Sequence, residues 1–439
     1  MTRAKLDGLW LLLLGSSVVV LLLAFLLTTH SPIPMGDFKS SYYAARCLIR
    51  HVDPYREGEV MRVYQAEGAD LPFKSAMDRL TATRYVYPPT TFVFTAPFAL
   101  LPWGPARILW MMLTVGGLLF AAILAWSLGA EYAPILSGAL IGYLLANSEV
   151  LLVLGNPSGI VIGLSVVAAW CFLRDRYIPA GILSLAVALA VKPQDAAFVW
   201  LYFLLAGGVH RKRALQTLLA TVLLSLPVVL WVWQVSPHWF QELHSNVAAF
   251  AVHGGLNDPG RSSPHANSLV DLQVAISFFR DDPRIYNPIS YLFCAPLMII
   301  WAFVTLRSPS FPAKAWLALA AIAPLTMLPV HHHLYDTKLL LLTVPACALL
   351  WSGKGSVAWL ALAVNLAVFV ATGDVSWTVL YRFIDNLHPS ALGLPAWTLP
   401  AMQALPVPLL LLLMSIFYLW IYARRASAKA QSQPSPAAR

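Results

Sequence analysis

Asp37 is the first candidate for chemistry, because this carboxylate closely follows a long apolar segment. It lies in the stretch Pro34-Met35-Gly36-Asp37-Phe38, after the apolar residues 9–27. That segment is long enough to span a membrane, so Asp37 is predicted at the lipid–water boundary. A carboxylate there suits a general base that deprotonates a hydroxyl before it attacks a lipid-carried substrate. The alternative is a helix N-cap, because a helical stretch follows from Ser40 to Arg50 and Asp is a favoured capping residue.

Lys192 is the second candidate, because it ends an apolar stretch and is followed by Pro193. The charge pattern of the chain assigns this end to the non-cytoplasmic side, where lysine is disfavoured. A lysine there can neutralise a phosphate as a compact point charge. A terminal lysine also commonly extends its head group to the membrane surface. We predict that Lys192 has the first role and binds a donor phosphate.

Three consecutive histidines, residues 331–333, form the third candidate. Three successive side chains cannot all reach one ion from a regular helix, and no spaced partner of the HExxH kind follows, so no metal site is predicted. We predict instead that His332 and His333 hydrogen-bond a donor phosphate or a leaving oxygen. Because only about two consecutive side chains can point inward from a turn at a helix end, His331 is predicted to be dispensable.

Five further polar residues are suited to binding a sugar or a phosphate. They are Arg84, Asn156, Asn267, Tyr335 and Asp336. Several have an ordinary alternative: Arg84 could bind lipid head groups, Asn267 is unremarkable in a solvated loop, and Asp336 could pair with Lys338. The sequence contains no Gly-rich phosphate loop, Walker motif or Rossmann fingerprint, so a nucleotide-sugar donor is unsupported.

The composition indicates the class of protein that must position these residues. Hydrophobic residues make up 59% of the chain and charged residues 11%, whereas a soluble domain carries about 25% charged residues. We therefore expect an all-α polytopic integral membrane protein. The net charge of +9 does not indicate a nucleic-acid partner, because the basic residues fall in short clusters between apolar stretches, as the positive-inside rule expects.

The basic clusters also predict the topology. They precede the first apolar stretch and follow the last, so both termini are expected in the cytoplasm. About thirteen apolar stretches can be delimited, several of them shorter than the roughly 20 residues that a perpendicular helix needs. An even number must cross if both termini are cytoplasmic. We predict that residues 87–101 form a re-entrant or interfacial helix, which leaves about 12 transmembrane helices.

The domain organisation follows from this topology. We predict one transmembrane domain over residues 1–425, with a long first extracytoplasmic loop at 30–86 and a later one at 236–287. Residues 426–439, rich in Ser, Ala, Gln and Pro, are predicted to be a disordered cytoplasmic tail. Most polar candidates then lie on one membrane face, as expected for an enzyme at an interface. A transporter, by contrast, places its coupling residues near the bilayer midplane.

Taken in order, these motifs resemble glycosyltransferase family 87, within the GT-C superfamily. The matching stretches are Gly36-Asp37-Phe38 with Tyr42-Tyr43, Asp53-Pro54-Tyr55, Tyr87-Pro88-Pro89, Gly155-Asn156-Pro157-Ser158, Lys192-Pro193-Gln194, Asn267-Ser268-Leu269, and His332-His333 with Tyr335-Asp336. The resemblance implies a GT-C fold and transfer of a sugar, typically mannose, from a polyprenyl-phosphate donor. It also implies that Asp37 acts as the base or positions the acceptor.

The expected partners are therefore a polyprenyl-phosphate sugar, a lipid or glycan acceptor and membrane lipids, with catalysis on the extracytoplasmic face of a bacterial-type inner membrane. No cofactor is expected, and no divalent ion, because the sequence has no clustered carboxylates of the kind that bind hard cations. Two alternatives remain open from the sequence. They are a polytopic lipid or solute transporter and an enzyme of the O-antigen polymerase or ligase type.

Overall fold

A computed structural model describes residues 2–28, 35–67, 75–307, 312–386 and 398–430. In the first part of the chain the α-helices are α1 (Arg3–Thr28), α2 (Gly36–Ile49), α3 (Glu57–Ala66), α4 (Ala76–Thr83), α5 (Phe92–Thr95), α6 (Trp103–Gly129), α7 (Pro134–Ala146), α8 (Glu149–Leu154), α9 (Ser158–Arg174), α10 (Ile178–Val191) and α11 (Pro193–Leu205). In the second part they are α12 (Gly208–Val235), α13 (Trp239–Phe250), α14 (Leu272–Ser277), α15 (Pro283–Arg307), α16 (Pro312–Thr326), α17 (Val344–Ser352), α18 (Ser356–Ala371), α19 (Asp374–Asn386), α20 (Thr398–Ala404) and α21 (Pro406–Ala430). Short 3₁₀ segments occupy Pro89–Thr91, Phe98–Leu100, Ala266–Ser268 and Leu334–Thr343. The described ranges contain no β-strand.

Within the described residues, six helical segments are long and apolar enough to cross a membrane. They are Arg3–Thr28, Trp103–Gly129, Gly208–Val235, Pro283–Arg307, Leu334–Ser352 and Ala401–Ala426. Shorter apolar helices accompany them, at Pro134–Ala146, Ser158–Arg174, Ile178–Val191, Ala313–Thr326 and Ser356–Ala371. The prediction of an all-α, multi-span membrane protein is confirmed. The number of about 12 crossing helices stays a prediction, because the short helices are as apolar as a membrane span but shorter than its usual length.

The segment from 87 to 101 does not form a continuous helix. It consists of the 3₁₀ turn Pro89–Thr91, the single turn α5 and the 3₁₀ turn Phe98–Leu100. Prolines 88, 89 and 97 interrupt the hydrogen-bond pattern, because proline has no backbone N–H to donate. A segment this short and broken cannot cross a bilayer, which agrees with the predicted re-entrant or interfacial arrangement.

The most enclosed helices of the bundle are α16 and the segment that leads into α17. Residues 315–328 of and after α16 are buried, and so are almost all residues of Leu334–Ser352. By contrast, α1 lies at the periphery and packs against α7 through glycines. A Cβ atom added at Gly15 would lie 2.2 Å from the carbonyl oxygen of Gly142. The two helices approach this closely because neither residue has a side chain.

The beginning of α2 corrects one alternative from the sequence. The helix begins at Gly36, so Asp37 lies in its first turn, and the N-cap position is held by Met35 without a side-chain hydrogen bond. The N-cap interpretation of Asp37 is therefore wrong. Its carboxylate remains available for contacts outside its own helix.

The end of the chain differs from the sequence prediction at one boundary. Helix α21 continues to Ala430, five residues into the segment that the sequence predicted as a disordered tail. The remainder of the predicted tail, and parts of the predicted loop 30–86, lie outside the described residues.

Candidate functional site

A cavity of about 390 Å³ gathers residues from every polar segment that the sequence indicated. Its polar lining consists of Asp37, Tyr87, Asn156, Lys192, Gln194, Asn257, His331, His333, Tyr335 and Asp336. Its apolar lining consists of Val86, Pro88, Val247, Phe250, Leu256 and Val330. The lining therefore joins the first loop, two interhelical turns, the loop after α12 and the histidine segment.

Asp37 and Asn156 form the first contact inside this cavity. The Asn156 side-chain amide donates a hydrogen bond of 2.7 Å to Asp37 Oδ2. The turn between α8 and α9 brings them together, because Gly155 adopts a left-handed conformation with φ of 64°. A Cβ atom at Gly155 would lie 3.0 Å from Phe38 Cβ on α2, so a larger residue would crowd α2 in addition to straining the left-handed backbone.

Ser158 continues the chain of contacts towards Lys192 and Asp336. Its hydroxyl lies 2.6 Å from Asn156 Oδ1 and 2.5 Å from Asp336 Oδ1, and it accepts a hydrogen bond of 2.5 Å from Lys192 Nζ. A hydroxyl has one proton, so it can donate to only one of those two oxygens at a time. The result is a continuous hydrogen-bonded path from Asp37 to the charged pair of Lys192 and Asp336.

Lys192 is held by a break between two helices. It is the C-cap of α10 and the N-cap of α11, and Pro193 cannot continue the hydrogen bonding of α10. The hydroxyls of Thr90 and Thr91 bond the carbonyls of residues 190 and 191, at 2.5 Å and 2.9 Å. The broken segment 89–91 thus satisfies the carbonyl groups that the helix end leaves free.

The Lys192 ammonium is buried between two carboxylates. Its Nζ lies 2.5 Å from Asp336 Oδ1 and 3.1 Å from Asp195 Oδ2, and 5.5 Å from the centre of the Tyr335 ring. Burial acts to lower the pKa of Lys192, but the two aspartates outweigh it and raise the pKa above its ordinary value. Lys192 is therefore a cation at neutral pH, and Asp336 pairs with it and not with Lys338.

The histidine segment is extended, which corrects the predicted orientation of the three rings. His333 has extended backbone angles and forms an antiparallel bridge with Leu269, and the N–H of Val270 donates to the His332 carbonyl. Side chains alternate between two sides of an extended chain. His331 and His333 accordingly both line the cavity, with ring centroids 4.6 Å apart.

His332 points away from the cavity and is 1% exposed. Its Nε2 lies 3.2 Å from Asp195 Oδ1, and its Nδ1 lies 2.9 Å from the carbonyl of Val330. The prediction that His332 and His333 face the donor while His331 turns away is therefore wrong for two of the three residues. The prediction was wrong because it assumed that the three histidines lie in a helical turn, whereas their backbone is extended.

Burial sets the protonation of the groups that face the cavity. It raises the pKa of the Asp37 carboxyl to about 6, a shift that the Asn156 hydrogen bond and Lys192 partly oppose. It lowers the pKa of His333 to about 4 and that of His331 well below its ordinary value. At neutral pH the cavity therefore presents the Asp37 carboxylate close to its pKa, the ion pair of Lys192 and Asp336, and two neutral imidazoles.

Three buried side chains nearby have ligand atoms close enough for a metal ion. Oxygen or nitrogen atoms of Asp195, His332 and Asp336 lie within 4.8 Å of one another, a grouping that the sequence did not reveal. However, Lys192 Nζ contacts both carboxylates of this group. A metal cation bound to the same oxygens would lie next to the Lys192 ammonium and be repelled by it. The donor set therefore does not fit a metal ion while Lys192 is charged.

Two predicted site residues lie elsewhere. Arg84 is the C-cap of α4 and forms an ion pair of 2.8 Å with Glu57. Asn267 lies in the 3₁₀ turn Ala266–Ser268. Neither belongs to the cavity lining. Asn257, which lies in the same predicted loop 236–287 as Asn267, lines the cavity instead.

Besides Tyr87, four residues of the site were not predicted individually. Ser158 and Asp195 belong to motifs whose other members were singled out, at one or three positions from Pro157 and Lys192. Gln194 and Asn257 line the cavity as neutral amides. If every polar residue of the short turns around Asn156 and Lys192 had been included, Ser158, Asp195 and Gln194 would have been predicted. Nothing in the local sequence distinguishes Asn257 from Asn267.

The family resemblance is supported by comparison with known families. Residues 85–269 match the model of glycosyltransferase family 87. The matched region includes Asn156 and Lys192 and ends before the histidine segment. A search of curated proteins and a search of solved structures found no significant match. The family match over residues 85–269, the multi-span helical fold and the ordered motifs together support the similarity of this chain to glycosyltransferase family 87, a family of membrane glycosyltransferases.

Proposed function

We propose that this protein transfers a sugar, mannose as the family resemblance implies, from a polyprenyl-phosphate donor to a hydroxyl of a lipid or glycan acceptor. One observation carries the proposal. A carboxylate with a pKa of about 6 and a buried ammonium line the same cavity and are connected through Asn156 and Ser158. The reaction needs these two groups: a base for the acceptor hydroxyl and a cation for the phosphate that leaves.

Asp37 acts as the base in this mechanism. Its carboxylate takes the proton of the acceptor hydroxyl as the oxygen forms a bond to C1 of the sugar. The bond between C1 and the phosphate oxygen breaks, and polyprenyl phosphate leaves with the electron pair. The hydrogen bond from Asn156 to Oδ2 orients the carboxylate and leaves Oδ1 for the proton. A pKa of about 6 lets Asp37 be ionised at neutral pH and still accept a proton.

Lys192 neutralises the donor phosphate. Negative charge grows on this phosphate as the sugar leaves, so a fixed ammonium stabilises the transition state more than the bound donor. His333 and Tyr335 line the cavity next to Lys192, and the neutral His333 ring can donate one hydrogen bond to a phosphate oxygen. Asn156 and Asp336 complete the donor side, Asp336 by fixing the ammonium at 2.5 Å.

The apolar wall of the cavity supports a lipid substrate. Val247 and Phe250 of α13 and Leu256 after it face the polar groups across the cavity. A prenyl chain is a hydrocarbon and gains free energy by leaving water for such a surface. The positive-inside pattern supports an extracytoplasmic site with both termini in the cytoplasm of a bacterial-type inner membrane.

A transfer assay tests the proposal. Purified protein in detergent is mixed with a radiolabelled polyprenyl-phosphate mannose and with lipid acceptors extracted from a membrane. We expect a new labelled product that is separated from the donor by chromatography. The Asp37→Asn variant, which retains the shape of the side chain, is the matched control and should form no product above background.

The same assay separates the alternatives. A transporter would move labelled lipid across reconstituted vesicles and would leave it chemically unchanged. Addition of EDTA should not reduce transfer, because Lys192 contacts both carboxylates of the only metal-like group found among the described residues. Absence of product with every polyprenyl-phosphate sugar tried, from protein that remains folded, would refute the proposed donor class.

A further inference from the structure

His332 is enclosed by groups that can only accept hydrogen bonds. Its Nδ1 lies 2.9 Å from the Val330 carbonyl oxygen, and its Nε2 lies 3.2 Å from Asp195 Oδ1. A backbone carbonyl has no proton to donate, so Nδ1 must carry one. A neutral imidazole with a proton on Nδ1 has a lone pair on Nε2. That lone pair would face the lone pairs of a carboxylate.

The second proton of this contact therefore belongs either to His332 or to Asp195. Asp195 also lies 3.1 Å from the Lys192 ammonium, which stabilises the ionised form of its carboxylate. His332 is then the protonated partner. Burial acts to lower the pKa of His332, and the neighbouring carboxylates of Asp195 and Asp336 outweigh it and raise the pKa.

The other titratable groups near His332 do not alter this assignment. His331 and His333 have lowered pKa values and are neutral at neutral pH. Asp271 caps α14 through Val274 and faces His332 from that side. Burial raises the pKa of Asp271 to about 7, so its charge is partial at neutral pH and favours a protonated imidazole.

The charges of the four groups Lys192, Asp195, His332 and Asp336 then balance, and the Asp37 carboxylate is a separate negative charge outside this group of four. Lys192 and His332 contribute two positive charges, and Asp195 and Asp336 contribute two negative charges. If His332 were neutral, two carboxylates would share one ammonium, and the cluster would carry a net negative charge. A phosphodiester donor is itself an anion, so such a cluster would repel it.

We propose that His332 is a positioning residue that acts through Asp195: its imidazolium neutralises Asp195, so that the Lys192 ammonium remains able to bind an anionic phosphate. This inference rests on the proposed function for the identity of the phosphate. It assigns to His332 no contact with the donor, because the residue is buried behind the cavity wall.

The proposal is tested by the dissociation constant of a short-chain polyprenyl phosphate, measured by titration of purified protein. His332→Gln keeps a hydrogen-bond donor for Asp195 and removes the charge. We expect binding to weaken about ten- to a hundredfold. His244→Gln on the exposed side of α13 is the matched control and should bind as the wild type does.

The double variant Asp195→Asn with His332→Gln distinguishes charge from structure. It removes one negative and one positive charge together, so the remaining cluster of Lys192 and Asp336 is again neutral. We expect it to recover most of the binding that His332→Gln loses. A double variant that binds as weakly as the single variant, although folded by thermal unfolding, would overturn the proposal.

Nitrogen NMR of histidine-labelled wild-type protein gives a readout that needs no substrate. Both ring nitrogens of an imidazolium have similar shifts, whereas those of a neutral ring are widely separated. The His332 signals, assigned by their loss in His332→Gln, should have the imidazolium pattern at pH 7. A neutral pattern would refute the inference about His332 itself. Wild-type protein that binds no polyprenyl phosphate but has the imidazolium pattern would refute the proposed donor instead.

Discussion

Two groups of charged residues on the predicted extracytoplasmic face differ in how their charges are compensated. The cavity cluster consists of Asp37, Lys192, Asp195, His332 and Asp336. Its charges are enclosed, and its contacts run through neutral side chains as well as through ion pairs. It also has an open side, at which Asp37 and Lys192 line a cavity. Charges in such a place are available to a ligand.

The loop pairs, which lie in the predicted first extracytoplasmic loop, do not line this cavity. In these pairs Arg46 and Arg50 meet Glu67, and Arg79 and Arg84 meet Glu57, at 2.5 to 3.1 Å. The arginine side chains are 23 to 56% exposed, and ion pairs with that exposure contribute little to stability. The comparison teaches that charge on the correct face does not identify a functional residue. A charge that is buried, compensated and still adjacent to a cavity is the better candidate for a functional residue.

The largest effect should come from Asp37→Asn. The asparagine can still accept the hydrogen bond from Asn156, but it cannot accept a proton from the acceptor. Loss of a general base costs about 100-fold or more in turnover. The measurement is the rate of transfer at saturating donor, with the melting temperature as the control for folding. Melting should be unchanged or higher, because a buried charge is removed. Near-normal turnover would show that Asp37 is not the base. It would also show that a buried charge at the cavity need not be functional.

The pH profile should follow the same carboxylate. Burial raises the pKa of Asp37 to about 6, and only the ionised form is a base. Activity is therefore present above this pKa and falls about tenfold for each unit of pH below it. The measurement is kcat/KM for the acceptor between about pH 5 and pH 8, with the melting temperature followed over the same range. A profile that stays flat through pH 6 while the protein remains folded would contradict the assignment.

The next effect concerns Lys192→Met, which removes the ammonium and keeps a similar volume. Charge-assisted hydrogen bonds are worth about 1.5–3 kcal/mol, so the KM for the donor should rise about ten- to a hundredfold. Lys338→Met is the matched control. Lys338 is also buried, but its ammonium does not line the cavity. An equal rise in donor KM for both variants would mean that burial of a lysine, and not its place at the cavity, decides the result.

The sequence predicted the parts of this arrangement that depend on local order. Composition predicted the helical membrane fold, and the even number of crossings that two cytoplasmic termini require led to the prediction that residues 87–101 do not cross. Asp37, Asn156 and Lys192 were found because each ends or closely follows an apolar stretch of the sequence. The structure brings these three to one cavity.

The sequence could not predict contacts that depend on distant segments. The orientation of His331–His333 depends on pairing with residues 269–272, which lie about 60 positions earlier in the chain. The neutralisation of Lys192 depends on Asp336, which is 144 positions away. The same limit explains why Arg84 was predicted as a site residue although it does not line the cavity. Its partner Glu57 lies in another helix of the same loop, and nothing in the sequence next to Arg84 indicates the pair.

Arg84→Ala should have the smallest effect and is the sharpest test of the loop pairs. The Arg84 guanidinium lies 2.8 Å from Glu57 and is 26% exposed, and Glu57 also pairs with Arg79 at 3.1 Å. Because Arg79 remains, loss of Arg84 should lower the free energy of unfolding by no more than about 1 kcal/mol. The KM for the donor should stay within twofold of the wild type, about 0.4 kcal/mol. Glu57→Gln, which releases both arginines, should leave the donor KM equally unaffected. A tenfold rise in donor KM for Arg84→Ala, with Glu57→Gln unchanged, would mean that Arg84 leaves its pair to reach the phosphate. The boundary between the two groups of charges would then fall inside the first loop and not at the cavity wall.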